Sequence, residues 1–212
     1  MSILPDGVEL RTPLTKKALT KLRSGDIVYI SGHVWTCRSS FFIRVFEKRR
    51  KNPIDTGRYN VMITHGPSIK KVGGKWVPPK SLGGTLGFRF RKWMPKAIKR
   101  FGLRAVVSKG SLNGDVSAAC REAGCVYLTL YSMPWTYEAN VHCVRKIVES
   151  HWLEFGSSDA VWVFEVEKCG PYIVNIDMVG NVYYEEITEK IKGKAEKLYE
   201  ELGIADFRYT FE

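Results

Sequence analysis

No stretch of this 212-residue chain approaches the roughly 20 apolar residues that a membrane-spanning helix needs. The first twenty residues offer no apolar centre for a secretion signal, because Pro5, Asp6, Glu9, Arg11 and Pro13 interrupt them. Cysteine is sparse and awkwardly spaced. Cys37, Cys120, Cys125, Cys143 and Cys169 make an odd number, and the closest two have four residues between them. That argues against a disulfide framework, and it is not the two-residue spacing of a zinc knuckle or a redox motif. Buried thiols are the expectation. His33, His65, His142 and His151 form no zinc spacing with one another or with the cysteines. Repeats, low-complexity linkers and a Walker phosphate loop are missing too. These absences predict a soluble, cytoplasmic protein with no membrane partner and no metal of its own.

Acidic residues are scarce in one third of the chain. From Cys37 to Gly110 there are 19 lysines and arginines against two acids, Glu47 and Asp55, a net +17; the remainder carries −6. An anionic small substrate, a nucleic acid or an acidic protein surface would each match such a segment, and so would a solvated basic face. At 44% hydrophobic the chain can build one sizeable core.

The apolar pattern mixes strands and helices, so the class is α/β or α+β. Leu14, Ala18, Leu19 and Leu22 recur at helical spacing before Gly25. A strand follows from 26 toward 35, and Ser39 or Ser40 could cap a helix that buries Phe41, Phe42, Val45 and Phe46. Strands are predicted over 59–64, 103–107, 125–131, 160–165, 172–176 and 182–184. Helices are predicted over 92–101 (with Pro95 in its first turn), 115–122, 137–150 and 185–202. The polar stretch 68–84 is a long loop, a kind that is usually functional or disordered.

Three features could carry chemistry. Arg38 lies between a strand and a helix N-terminus, where an anion finds free N–H groups beside a guanidinium. Gly83-Gly84-Thr85-Leu86-Gly87-Phe88-Arg89 opens a basic helix, and its glycines let backbone approach an anion closely. Ser108-Lys109-Gly110 ends a strand, where ligands of α/β sheets often sit. Taken singly, each is matched by a bland surface reading.

Their order and spacing carry more. Thr36-Cys37-Arg38, Gly66-Pro67, Gly83 with Thr85 and Arg89, and Lys109 twenty residues beyond Arg89 follow one another as in a known family. The segments Leu22-Arg-Ser-Gly-Asp-Ile-Val-Tyr-Ile-Ser-Gly32, Asp159-Ala-Val-Trp-Val-Phe-Glu-Val-Glu167, Pro171-Tyr-Ile-Val174, Asp177, Gly180-Asn181 and Tyr183 add to it. From about Leu14 to Glu186 the chain resembles the β subunit of class I fumarate hydratase and L-tartrate dehydratase, the iron–sulfur hydro-lyases.

The resemblance implies an α/β fold of the three-layer swivelling β/β/α type. It implies an N-terminal extension over 1–13, a hydro-lyase β-subunit-like domain over 14–186, and a C-terminal helix and tail over 187–212. It implies reversible hydration of fumarate to malate or of a closely related 2-hydroxy dicarboxylate, in an α2β2 assembly. The 4Fe–4S cluster belongs to the α subunit, and none is bound by this chain alone; there the iron acts as a Lewis acid on the substrate hydroxyl. Carried over residue by residue, Arg38, Arg89 and Lys109 bind the dicarboxylate, and Thr85 and Lys109 are catalytic, with Thr85 as the base. Fixed cations suit this reaction, since removing a proton beside a carboxylate builds a second negative charge on it.

The neighbours depart from the family pattern. Arg38 is followed by Ser-Ser-Phe-Phe instead of Asp-Ala-Ala-His. Arg89-Phe90-Arg91 has a base where the family has Asp, and Tyr131-Ser-Met-Pro-Trp-Thr136 replaces a run of small residues. Two other readings stand beside the first: an altered paralogue acting as a binding or regulatory subunit, and a basic nucleic-acid binder using Trp76, Phe88, Phe90 and Trp93. The second has no RNA-recognition or helix-turn-helix signature behind it, and Trp93, Ile98 and Phe101 read as core positions.

Overall fold

Neighbouring residues along five strands face two different cores. A computed structural model describes residues 5–80, 82–130 and 143–204. Its elements are β1 (Val8–Arg11), α1 (Lys16–Leu19), β2 (Ile27–Cys37), α2 (Ser39–Phe42), β3 (Val61–Thr64), β4 (Lys70–Val72), β5 (Lys75–Val77), α3 (Met94–Phe101), β6 (Ala105–Ser108), α4 (Asp115–Ala123), β7 (Val126–Leu130), β8 (Val144–His151), β9 (Val161–Ile176) and α5 (Tyr183–Glu201). The class is mixed α/β around one dominant sheet.

Strands β1, β2, β3, β6 and β7 run parallel, while β9 is antiparallel to β7, β2 and β8. The pairings β2–β3–β6–β7–β9–β2 close on themselves, so these five strands form a ring. The long β9 makes this possible by changing partners. Its Val161–Val166 part lies between β8 and the second half of β2, and its Tyr172–Ile176 part between β7 and the start of β2. Between the two parts Lys168 and Gly170 take positive φ values of 45° and 149°. A Cβ on Gly170 would lie 2.8 Å from the Val28 carbonyl oxygen, so only glycine fits that bend.

One register row, Val163, Trp35, Met62, Val106, Tyr127 and Ile176, crosses the ring and packs on Phe41, Phe42, Ile98 and Ala119 of α2, α3 and α4. Val34, Val61, Ile63, Val107, Val126, Leu128 and Phe164 alternate with it and fill the other core with Trp162, Tyr172 and Val174. Period-two side-chain alternation is what lets one ring serve both cores.

Several elements differ from the sequence-based expectation. The 137–150 helix is, over its described part, the edge strand β8; residues 137–142 and the Tyr131–Thr136 segment lie outside the described residues. The two strands expected over 160–165 and 172–176 are one strand, bent at Gly170-Pro171 instead of ended there. The strand expected at 182–184 reduces to a single bridge of Val182 to Ile176, and α5 begins at Tyr183. The helix expected to be capped by Ser39 or Ser40 has Arg38 at its N-cap, and continues as a π-helical turn, Ile43–Glu47. The helical spacing of Leu14 to Leu22 yields only α1, while β1 adds a strand from the N-terminal extension. Pro95 does sit in the first turn of α3, and the polar loop contains the β4–β5 hairpin.

Candidate functional site

The parallel strands end level with one another. Cys37 is in register with Thr64, Ile63 with Val107, and Ser108 with Thr129. The residues that follow the ends of β2, β3 and β6 are Arg38, His65 and Lys109, so they emerge side by side along one edge, with strand spacings of about 4.8 Å.

The glycine-rich loop lies between the ends of β3 and β6. Thr85 N–H donates to the Thr64 carbonyl, Lys109 N–H donates to the Thr85 carbonyl at 3.1 Å, and Gly87 N–H donates to the Lys109 carbonyl at 2.8 Å. Leu86 thereby forms a short parallel bridge with Lys109. Beneath it, Thr64 Oγ1 and Ser108 Oγ are 2.6 Å apart, and Ser108 Oγ donates to the Thr85 carbonyl at 2.9 Å. Thr85 is thus held by its backbone. Among the described residues its hydroxyl makes no hydrogen bond.

The glycines have separate jobs. A Cβ on Gly84 would lie 3.1 Å from Lys109 N. A Cβ on Gly87 would collide with the Tyr127 hydroxyl, which is buried beside Ser108 without a properly directed hydrogen bond. Burial pushes the Tyr127 phenol up, so it stays protonated.

Arg38 is half-buried. Its Nη1 lies 3.7 Å from Asp159 Oδ2, and Ser40 Oγ donates to Asp159 Oδ1 at 2.9 Å. At that length and exposure the ion pair is worth about 1 kcal/mol or less, so another anion can displace Asp159 at little cost. The Arg38 side chain runs over Gly66, whose missing Cβ leaves the room. Beside it, His65 has its pKa lowered to about 4, mainly by burial and then by the Arg38 charge. A neutral His65 therefore stands between Arg38 and Gly83, whose Cβ would be 3.6 Å from the His65 ring.

Arg38, Thr85 and Lys109, predicted separately, thus share one edge. Arg89 lies beyond them on the 3-10 turn Gly87–Phe90, exposed, and lines a shallow neighbouring depression with Lys92 and Asp115. His65 and Asp159 were not singled out from the sequence. The His-Gly-Pro at a strand end was the available signal for the first; nothing linked Asp159 to Arg38, 121 residues away. Of the aromatics offered for nucleic acid, Phe90 and Trp93 are core residues and Trp76 packs edge-on against Trp162; only Phe88 is well exposed.

A sequence profile described as "Fumarase C-terminus" matches residues 5–187. The chain belongs to this family. A family relative from Methanocaldococcus jannaschii, named "Putative L(+)-tartrate dehydratase subunit beta", is 34% identical over 90% of this chain and 96% of its own length. The L(+)-tartrate dehydratase subunit beta of Escherichia coli K12 is 29% identical over 91% of this chain and 94% of its own. A Geobacillus stearothermophilus protein named "Putative fumarate hydratase class I" is 29% identical over 90% of this chain, which matches only 35% of that longer protein.

Members of a family that includes iron–sulfur hydratases invite a test for a cluster cradle. Among the described residues no group of three or more His, Cys, Asp or Glu could hold a metal ion, and the five thiols are buried at separate places or in pairs. These residues do not fit a 4Fe–4S cluster. No described helix is long and apolar enough to cross a membrane.

Proposed function

We propose that this chain is the β subunit of an iron–sulfur hydro-lyase acting on a 2-hydroxy dicarboxylate of the malate or tartrate class. The observation that carries the reading is the alignment of Arg38, Thr85 and Lys109 along one edge of the parallel strands. The 4Fe–4S cluster is assigned to a partner α subunit, in an α2β2 assembly, and the ring with its outer helices is assigned the role of a swivelling β/β/α domain spanning 14–186. Residues 1–13 and 187–212 are its extension and its helical tail, and the compartment is the cytoplasm.

In this reading Arg38 holds one substrate carboxylate, and Arg89 reaches the substrate from its neighbouring turn. Lys109 lies where charge builds on the carboxylate next to the carbon being deprotonated. A fixed ammonium there lowers the barrier without reorganising. Thr85 Oγ1 takes the proton. Its backbone is locked on both sides, so the hydroxyl needs no side-chain contact to stay in position. Neutral His65 keeps the Arg38 stem in place without adding charge.

The test is turnover by the chain reconstituted with its cluster-bearing α subunit on fumarate, malate and tartrate. Activity on one of them is expected, with Thr85→Ala and Lys109→Ala each lowering kcat by about 100-fold or more. No turnover of any 2-hydroxy dicarboxylate with an intact cluster would reject the reading. The proximity of Asp159 to Arg38 favours one alternative, a non-catalytic binding subunit, for which Lys109→Ala would leave function untouched.

A further inference from the structure

Two of the five thiols touch. Cys143, at the entry to β8, and Cys169, in the bend of β9, have their sulfur atoms 3.1 Å apart in a thiol–thiol hydrogen bond. Cys143 lies across from Glu167, whose N–H donates to the Cys143 carbonyl at 2.8 Å, and Cys169 follows two residues further along β9. Tyr172 Oη lies 3.0 Å from Cys169 Sγ. The Leu82 backbone lies beside the Cys143 thiol, and Leu82 is the fully buried residue at the start of the loop that carries Thr85.

We propose that Cys143 and Cys169 are a reversible redox pair, oxidised to a disulfide by a hydroperoxide, and that this oxidation loosens the Leu82 end of the 82–87 loop. A disulfide needs sulfurs at about 2.05 Å, so closure requires a movement of about 1 Å. The pair divides the two roles. The hydrogen bond with Cys169 pulls the Cys143 thiol down despite its burial, and the Leu82 backbone adds to this, whereas Cys169 is raised well above the usual range by its bond to Cys143 and by burial. Cys143 is therefore the thiolate that attacks, and Cys169 the thiol that resolves.

Cys143 thiolate attacks one peroxide oxygen. The O–O bond breaks, Cys143 becomes a sulfenic acid, and the released oxygen takes up the thiol's proton as an alcohol or water. Cys169 sulfur then attacks Cys143 sulfur; the S–O bond breaks and hydroxide leaves as water with the Cys169 proton. Two thiols lose two electrons and two protons, and the peroxide is reduced by the same two electrons. A disulfide sulfur is a much poorer hydrogen-bond acceptor than a thiolate, which weakens the hold on Leu82. The other close pair offers a contrast. Cys125 is driven far up by burial, with no hydrogen bond that lowers it.

The test treats the full chain with hydrogen peroxide, blocks remaining thiols by alkylation and maps the peptides. A single Cys143–Cys169 link is expected, with two fewer free thiols, reversal by a dithiol and complete loss in Cys143→Ser. Hydrogen exchange at the 82–87 amides should rise several-fold on oxidation and not in Cys143→Ser. Should that variant not fold, Cys169→Ala serves, trapping Cys143 as the sulfenic acid. No link, a link through Cys120 or Cys125, or unchanged exchange at 82–87 would overturn the proposal. Neither readout uses catalysis, so it can fail or succeed apart from the hydro-lyase assignment.

Discussion

Arg38 occupies the space that a side chain on residue 66 would need. A Cβ there would collide with Arg38 Cδ and also come within 2.6 Å of the Ser158 carbonyl oxygen. The arginine stem is flexible but the backbone carbonyl is not, so Gly66→Ala must push Arg38 away or shift the 158 loop. The expected result is a KM at least 10-fold higher for the dicarboxylate with a smaller change in kcat. Steady-state kinetics of the reconstituted enzyme decide it, and an unchanged KM would remove Arg38 from substrate binding.

Gly87 and Tyr127 make a second pair that can be tested without any substrate. Gly87→Ala drives a methyl into the Tyr127 hydroxyl, an overpacking that should cost about 1–3 kcal/mol. Tyr127→Phe removes an oxygen that has no properly directed hydrogen bond, and should be close to neutral. Combining the two should recover at least half of the loss. Urea unfolding of the four proteins gives the coupling energy, and additive effects would contradict the contact.

His65 predicts a pH dependence. Its pKa is about 4 in the folded chain against 6.5 for an ordinary histidine, so between those values the unfolded chain binds the extra proton. Stability from this group is complete above pH 6.5 and falls as pH drops toward 4, by up to about 3 kcal/mol. His65→Gln should flatten the stability curve across that window. An unchanged slope would mean His65 is not held neutral by burial and the Arg38 charge.

Thr85 separates function from fold. The contacts described for it are made by its backbone, so Thr85→Val should unfold within about 0.5 kcal/mol of the parent while turnover falls by about 100-fold or more. Thermal melts and kcat measured on one preparation check both halves. A large loss of stability would show that the hydroxyl has a structural partner.

How far the sequence reveals this arrangement depends on the range of the interactions. The strands β2, β3, β6 and β7 were legible because they are short apolar runs whose alternation matches two buried faces. Strand β8 was not. Val144, Ile147 and Val148 fall at helical spacing, and only pairing with β9 makes the segment extended. The expected strands over 160–165 and 172–176 are joined through Gly170-Pro171, which lies where β9 exchanges partners and can spare the donor that proline lacks. At the site, the order of Arg38, Thr85 and Lys109 survives in sequence because Arg38 and Lys109 each follow their own strand and Thr85 lies in the loop between β3 and β6. The approach of Asp159 and the burial of His65 depend on segments far away in sequence, and no local pattern encodes them.

The closed ring has a consequence for synthesis. Its last member, β9, ends only at Ile176, and until it emerges from the ribosome the parallel strands β2, β3, β6 and β7 form at best an open sheet with two bare edges, on β2 and β7. Bare edges recruit other strands. The nascent chain is therefore exposed to misassembly for most of its translation, and a chain ending before Val161 should aggregate where the full one folds.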